Sequence, residues 1–139
     1  MRLGRGNKTT SRIRRKKEEP KPEKKALYAR FDAGKAPEFE LRGRELIIRM
    51  HADLDHHYAL QIREKADRLI EQEGIKNIIF DFTGVEFMDS SGIGMIMGRY
   101  KKVIFSGGKV GVMGIGKHVD RIFNYSGLYK IVERVTEEQ

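Results

Sequence analysis

None of the 139 residues is cysteine, which removes disulfides, thiolate catalysis and cysteine-ligated metals from consideration. No apolar run is long enough to cross a bilayer, and the N-terminus lacks the apolar segment of a secretory signal, so the cytoplasm is the expected address. Internal repeats are absent as well. What the chain has in excess is positive charge, and it is placed unevenly. Residues 1–38 hold 13 of the 28 basic residues and 5 of the 20 acidic ones, while residues 39–139 hold 15 of each, so the whole net charge of +8 sits in the first segment. That segment has too few apolar residues to offset the entropy of ordering it, which predicts a basic, disordered arm over 1–38 and a folded domain over 39–139. No aromatic interleaving or base-reading motif accompanies the charges, so direct nucleic-acid binding is not expected of them.

From Phe39 onward strands and helices alternate. Glu40–Arg42 and Glu45–Met50 flank a turn signal at Gly43 and predict a hairpin. Asp55 can cap a helix whose apolar stripe, Ala59, Ile62, Ala66, Leu69 and Ile70, runs out near Gly74. Lys76–Phe82 reads as a buried strand. A second helix is expected from Ser91 to Phe105, with Ile93, Ile96, Met97, Tyr100 and Ile104 inward. Lys109–Gly114 predicts a strand, Val119–Tyr125 a third helix and Tyr129–Val135 a last strand. This order implies an α/β fold: a small mixed, mostly parallel sheet of about five strands with helices mainly on one face.

The chemistry concentrates at Asp89-Ser90-Ser91-Gly92-Ile93-Gly94, where a buried strand has ended and a helix begins. The first turn of a helix has free backbone N–H groups and partial positive charge, both of which suit a phosphate. Ser90 is therefore a candidate phosphorylation site. Ser and Asp also cap helices in any protein, but Gly92 and Gly94 strip side chains from the first turn at about 1 kcal/mol each relative to Ala, which predicts a gain elsewhere, such as close approach by a partner.

Other patterns are weaker. Gly92, Gly94 and Gly98 imitate a dinucleotide-binding series, but the following strand end, Val112–Gly116, carries no acidic residue for a ribose. Gly111–Lys117 fits P-loop spacing until His118 replaces the hydroxyl residue that ligates magnesium, leaving a small-ligand or nucleotide-binding reading as the alternative. Met88 and Asp89 occupy the position where a nucleophile elbow needs glycine, so none of His51, His56, His57 or His118 is placed as a base for Ser90. The adjacent His56-His57 pair diverges on a helix and lacks a third ligand.

Taken together, Asp53-Leu54-Asp55-His56-His57, Phe87–Gly94, Gly98-Arg99-Tyr100-Lys101, Arg121-Ile122-Phe123 and Ser126–Ile131 resemble the anti-sigma factor antagonists of the STAS family, over roughly Phe39 to Arg134. The likeness is greatest to the sporulation branch, which acts on the sigma-F system, with the general stress-response branch as the alternative. The resemblance implies a regulatory protein and not an enzyme, with no cofactor of its own. Its partners would be an anti-sigma factor that is a serine kinase, which brings the ATP, and a serine phosphatase that resets the cycle. It makes Ser90 the phosphoacceptor. The partner surface is expected at Asp89, Ser91, Gly92 and Ile93 around it, and at Asp53, Asp55 and His56 on the preceding loop.

Overall fold

The structure is a computed structural model that describes residues 35–136; the arm expected over 1–38 therefore lies, up to residue 34, outside the described residues. The domain runs β1 (Glu38–Arg42), β2 (Glu45–Arg49), α1 (His56–Glu73), β3 (Asn77–Asp81), α2 (Ser90–Ile104), β4 (Val110–Met113), α3 (Lys117–Ser126), a single 3-10 turn at Leu128–Lys130, and β5 (Glu133–Arg134).

The five strands lie side by side in chain order. Only the first pair is antiparallel, joined through a two-residue turn in which Gly43 takes φ +60°, a conformation glycine adopts without strain. The β2–β3, β3–β4 and β4–β5 pairs are parallel, with Ile48 opposite Phe80 and Phe80 opposite Val112 across the centre. Each parallel step needs a crossover, and α1, α2 and α3 supply them.

Side chains alternate across a strand, so one face carries Leu46, Ile48, Ile78, Phe80, Val110 and Val112. All six join one core cluster with Ile62 and Ala66 of α1, Ile96 and Val103 of α2, and Val119 and Phe123 of α3. The helices thus bury against a single face, as expected. The opposite face carries Ile47, Arg49, Ile79 and Asp81, and its charges pair laterally: Arg49 Nη1 lies 2.6 Å from Glu40 Oε1.

Two details of the expectation give way. The final strand is short, because Gly127 turns through φ +80° and the chain then winds into the 3-10 turn, with the Ile131 and Val132 N–H groups both donating to the Leu128 carbonyl. Helix α2 is also rotated from the predicted stripe. Its buried residues are Gly92, Met95, Ile96, Arg99 and Val103, while Met97 and Ile104 are exposed and Ile93 and Tyr100 half-buried. The apolar residues of α2 are spread around the helix and not confined to one stripe, so periodicity left two stripes open. The narrow space against Leu54 and Met88 decides between them, because it admits a glycine and no larger residue. Among the described residues no helix is long and apolar enough to cross a membrane.

Candidate functional site

The chain ends β3 at Asp81, whose Oδ1 accepts hydrogen bonds from the Thr83 N–H at 2.9 Å and the Thr83 hydroxyl at 2.6 Å. From there the backbone runs alongside the segment that precedes α1. Leu54 N–H donates to the Phe87 carbonyl at 3.0 Å, Asp89 N–H donates to the Leu54 carbonyl at 3.3 Å, and Leu54 pairs with Met88 in a parallel bridge. Asp53 tightens the junction, its Oδ1 accepting from the Glu86 and Phe87 N–H groups at 3.2 Å each. The two stretches singled out in the sequence, some thirty residues apart, are thereby sewn into one surface.

Each stretch starts a helix through an aspartate. Asp55 caps α1, its Oδ1 accepting from Tyr58 N–H at 2.9 Å. Asp89 caps α2, its Oδ1 accepting from Ser91 N–H at 2.8 Å, while its carbonyl accepts from Gly92 N–H at 3.0 Å. With Asp89 as the cap, Ser90 is the first helical residue, one position earlier than expected, and its hydroxyl is not consumed in capping. Ser90 and Asp89 are both exposed.

The two serines face different clefts. Ser90 lies on a cleft of 260 Å³ between α2 and α3, walled by Met88, Ile93, Ile122, Tyr125 and Ser126. Ser91 lies on the other side of α2, on a cleft shared with His56 of α1. The α3 wall was not singled out as partner surface from the sequence; its signal is Ile122 and Tyr125 three residues apart, with Tyr125 97% exposed. The ring of His118 meets that of Phe87 edge-on at 4.8 Å between centroids, which ties the start of α3 to the segment leading into Ser90.

Of the expected surface residues, Asp53, Asp55, His56 and Asp89 are exposed, and Ser91 and Ile93 are half-buried. Gly92 is a correction. It is buried, and a Cβ there would lie 2.9 Å from both Leu54 Cδ2 and Met88 Cγ, so its missing side chain makes room for the core and not for an outside partner. Gly94 is the open one, with nothing within 4 Å of an added Cβ. Gly111 lies inside β4, opposite Ile79 on one side and Glu133 on the other, so no phosphate-wrapping loop begins there.

The site thus sits on a four-strand parallel run with an antiparallel edge, with an exposed serine opening the helix after the central strand. The STAS-domain family matches residues 36–138, and the chain belongs to it. Among characterised relatives, an anti-sigma F factor antagonist of Paenibacillus polymyxa is 38% identical over 87 residues, 63% of this chain and 74% of that protein. Another, from Lysinibacillus sphaericus, is 35% identical over 94 residues, 68% of this chain and 80% of that protein. Of solved structures, the phosphorylated form of the Bacillus cell fate determinant SpoIIAA superposes with a TM-score of 0.62 at 33% identity, covering 74% of this chain and 94% of that one.

Proposed function

We propose that this chain is an anti-sigma factor antagonist whose partner binding is switched by phosphorylation of Ser90. The observation that carries the reading is the exposed Ser90 hydroxyl at the first position of α2, beside Asp89 and on the rim of an apolar cleft. The sigma-F antagonists among its relatives favour the sporulation branch. In its unmodified state the chain docks on an anti-sigma factor through the Ser90 helix start, with Asp89, Ser91 and Ile93 around it and Asp53, Asp55 and His56 at the margin. Docking frees the sigma factor. The anti-sigma factor, a serine kinase, supplies the ATP and the catalytic groups, so the chain contributes only an accessible hydroxyl and needs no cofactor. A serine phosphatase reverses the modification.

Phosphate brings about −1.5 to −2 charge at neutral pH. On the helix itself it meets free N–H groups and the positive end of the dipole, so the fold survives it. At the interface it must be desolvated beside Asp89 against a surface fitted to a neutral hydroxyl, and like-charge juxtaposition of this kind costs several kcal/mol. A loss of about 3 kcal/mol is already a hundredfold in affinity, enough for a switch without rearrangement.

Incubation with the anti-sigma kinase of the same genome and ATP tests this. One phosphate should appear, on Ser90, and none in Ser90→Ala; Ser90→Asp should bind the kinase at least tenfold more weakly than the unmodified chain. Modification elsewhere, or full affinity after phosphorylation, would sink the assignment. Loss of activity in Lys117→Ala with Ser90→Ala unaffected would favour the nucleotide-binding alternative.

A further inference from the structure

The cleft on the Ser91 side of α2 has a different chemistry from the Ser90 cleft. It measures 180 Å³ and is lined by His56, Leu60, Arg63, Ser91, Met95 and Arg99 among others. Arg99 is the anomaly. It is only 5% exposed, yet it is a guanidinium, a group that carries five donors in a rigid fork and is seldom enclosed without acceptors for them. Among the described residues its ion-pair partner is Asp67 of α1, with Arg99 Nε 3.0 Å from Asp67 Oδ1. Even that contact is misaligned: Arg99 Nε, Arg99 Nη1 and Asp67 Oδ1 are all buried without a hydrogen-bond partner.

The local charge is equally unbalanced. Burial holds the Arg99 pKa below its ordinary value, Asp67 opposes that, and the neighbouring charge of Arg63 adds to the depression. The lining of the cleft thus includes two guanidiniums, Arg63 and Arg99, and no carboxylate. Buried charge is tolerated where it is paired and hydrogen-bonded, and a cleft lined by guanidiniums without carboxylates is electrostatically matched to an anion. Guanidinium forks match oxyanions of phosphate or carboxylate geometry, and the Ser91 hydroxyl adds a neutral donor on the same wall. Leu60, 38% exposed, and Met95 supply apolar surface at its side, which suits an organic substituent.

We propose that the cleft between α1 and α2 binds a phosphate monoester, with the phosphate held by Arg63, Arg99 and Ser91 and its organic group laid against Leu60 and Met95. The site is separate from the Ser90 cleft and from Gly111–Lys117, and it does not depend on the proposed partner switch.

Backbone amide shifts of the full-length chain, followed at constant ionic strength, test it with three probes: phenyl phosphate, inorganic phosphate and acetate. Phenyl phosphate should give saturable shifts at Leu60, Arg63, Gly94 and Met95 and bind tighter than inorganic phosphate, with acetate weakest. Arg63→Gln, on an exposed position that spares the fold, should weaken phenyl phosphate at least tenfold. Arg99→Lys, which keeps the charge and loses the fork, should weaken it as well. Shifts that rise linearly and spread over surface lysines would reduce the effect to ion screening and overturn the site. Saturable binding untouched by Arg63→Gln would place it elsewhere, and phenyl phosphate binding no tighter than inorganic phosphate would overturn the monoester.

Discussion

Replacing Gly92 and Gly94 separately by alanine separates packing from helix propensity within one helix. Both glycines lie in α2, two residues apart, and each Gly→Ala change brings up to about 1 kcal/mol of helix propensity. At Gly94 the new methyl meets nothing within 4 Å, so that gain is kept. At Gly92 it would lie 2.9 Å from Leu54 Cδ2 and from Met88 Cγ and 3.0 Å from Leu54 Cγ. Both neighbours are themselves enclosed, Leu54 completely and Met88 to within 5% of its surface, so neither can swing clear without disturbing the core. Inserting a methylene into such a site costs about 1–3 kcal/mol. The propensity gains cancel in the comparison, leaving Gly92→Ala less stable than Gly94→Ala by about 1–3 kcal/mol. Urea unfolding followed by far-UV circular dichroism reads this as a lower midpoint at unchanged slope. Equal stabilisation by the two substitutions would refute the placement of Gly92 against the Leu54–Met88 pair, and with it the finding that this glycine serves the core.

Two more outcomes follow from the same surface. Asp53→Ala removes the acceptor for the Glu86 and Phe87 N–H groups. These donors can turn to water, so the loss should stay near 1 kcal/mol, and amide exchange at Glu86 and Phe87 should speed up while that of β3 holds. Unchanged protection at those two amides would show that Asp53 does not secure the loop. Tyr125→Ala touches a side chain 97% exposed, so stability should stay within about 0.5 kcal/mol. Affinity for the proposed anti-sigma partner, measured by titration calorimetry, should nonetheless fall at least tenfold, as truncating a hot-spot aromatic does; undiminished binding would remove α3 from the proposed docking surface.

What could be read from the sequence was what is encoded locally. Asp55 before an apolar stripe announces the start of α1, Gly74 in the left-handed region its end, and the apolar run Ile78–Phe82 the central strand, because caps, periods and breakers act within a few residues. The opening of α2 follows from the same local rules to within one residue, at Ser90 in place of the expected Ser91. Tertiary structure decided the rest. It chose Gly92 over Ile93 for the inward face of α2, since contact with Leu54, which lies in the distant segment before α1, and with Met88 excludes a side chain there. It set Ile122 and Tyr125 opposite Ser90, and it closed Arg99 against Asp67. Which stripe of an apolar-rich helix is buried, and which two helices enclose a cleft, depends on packing between distant segments, and no window along the chain contains both partners of such a contact.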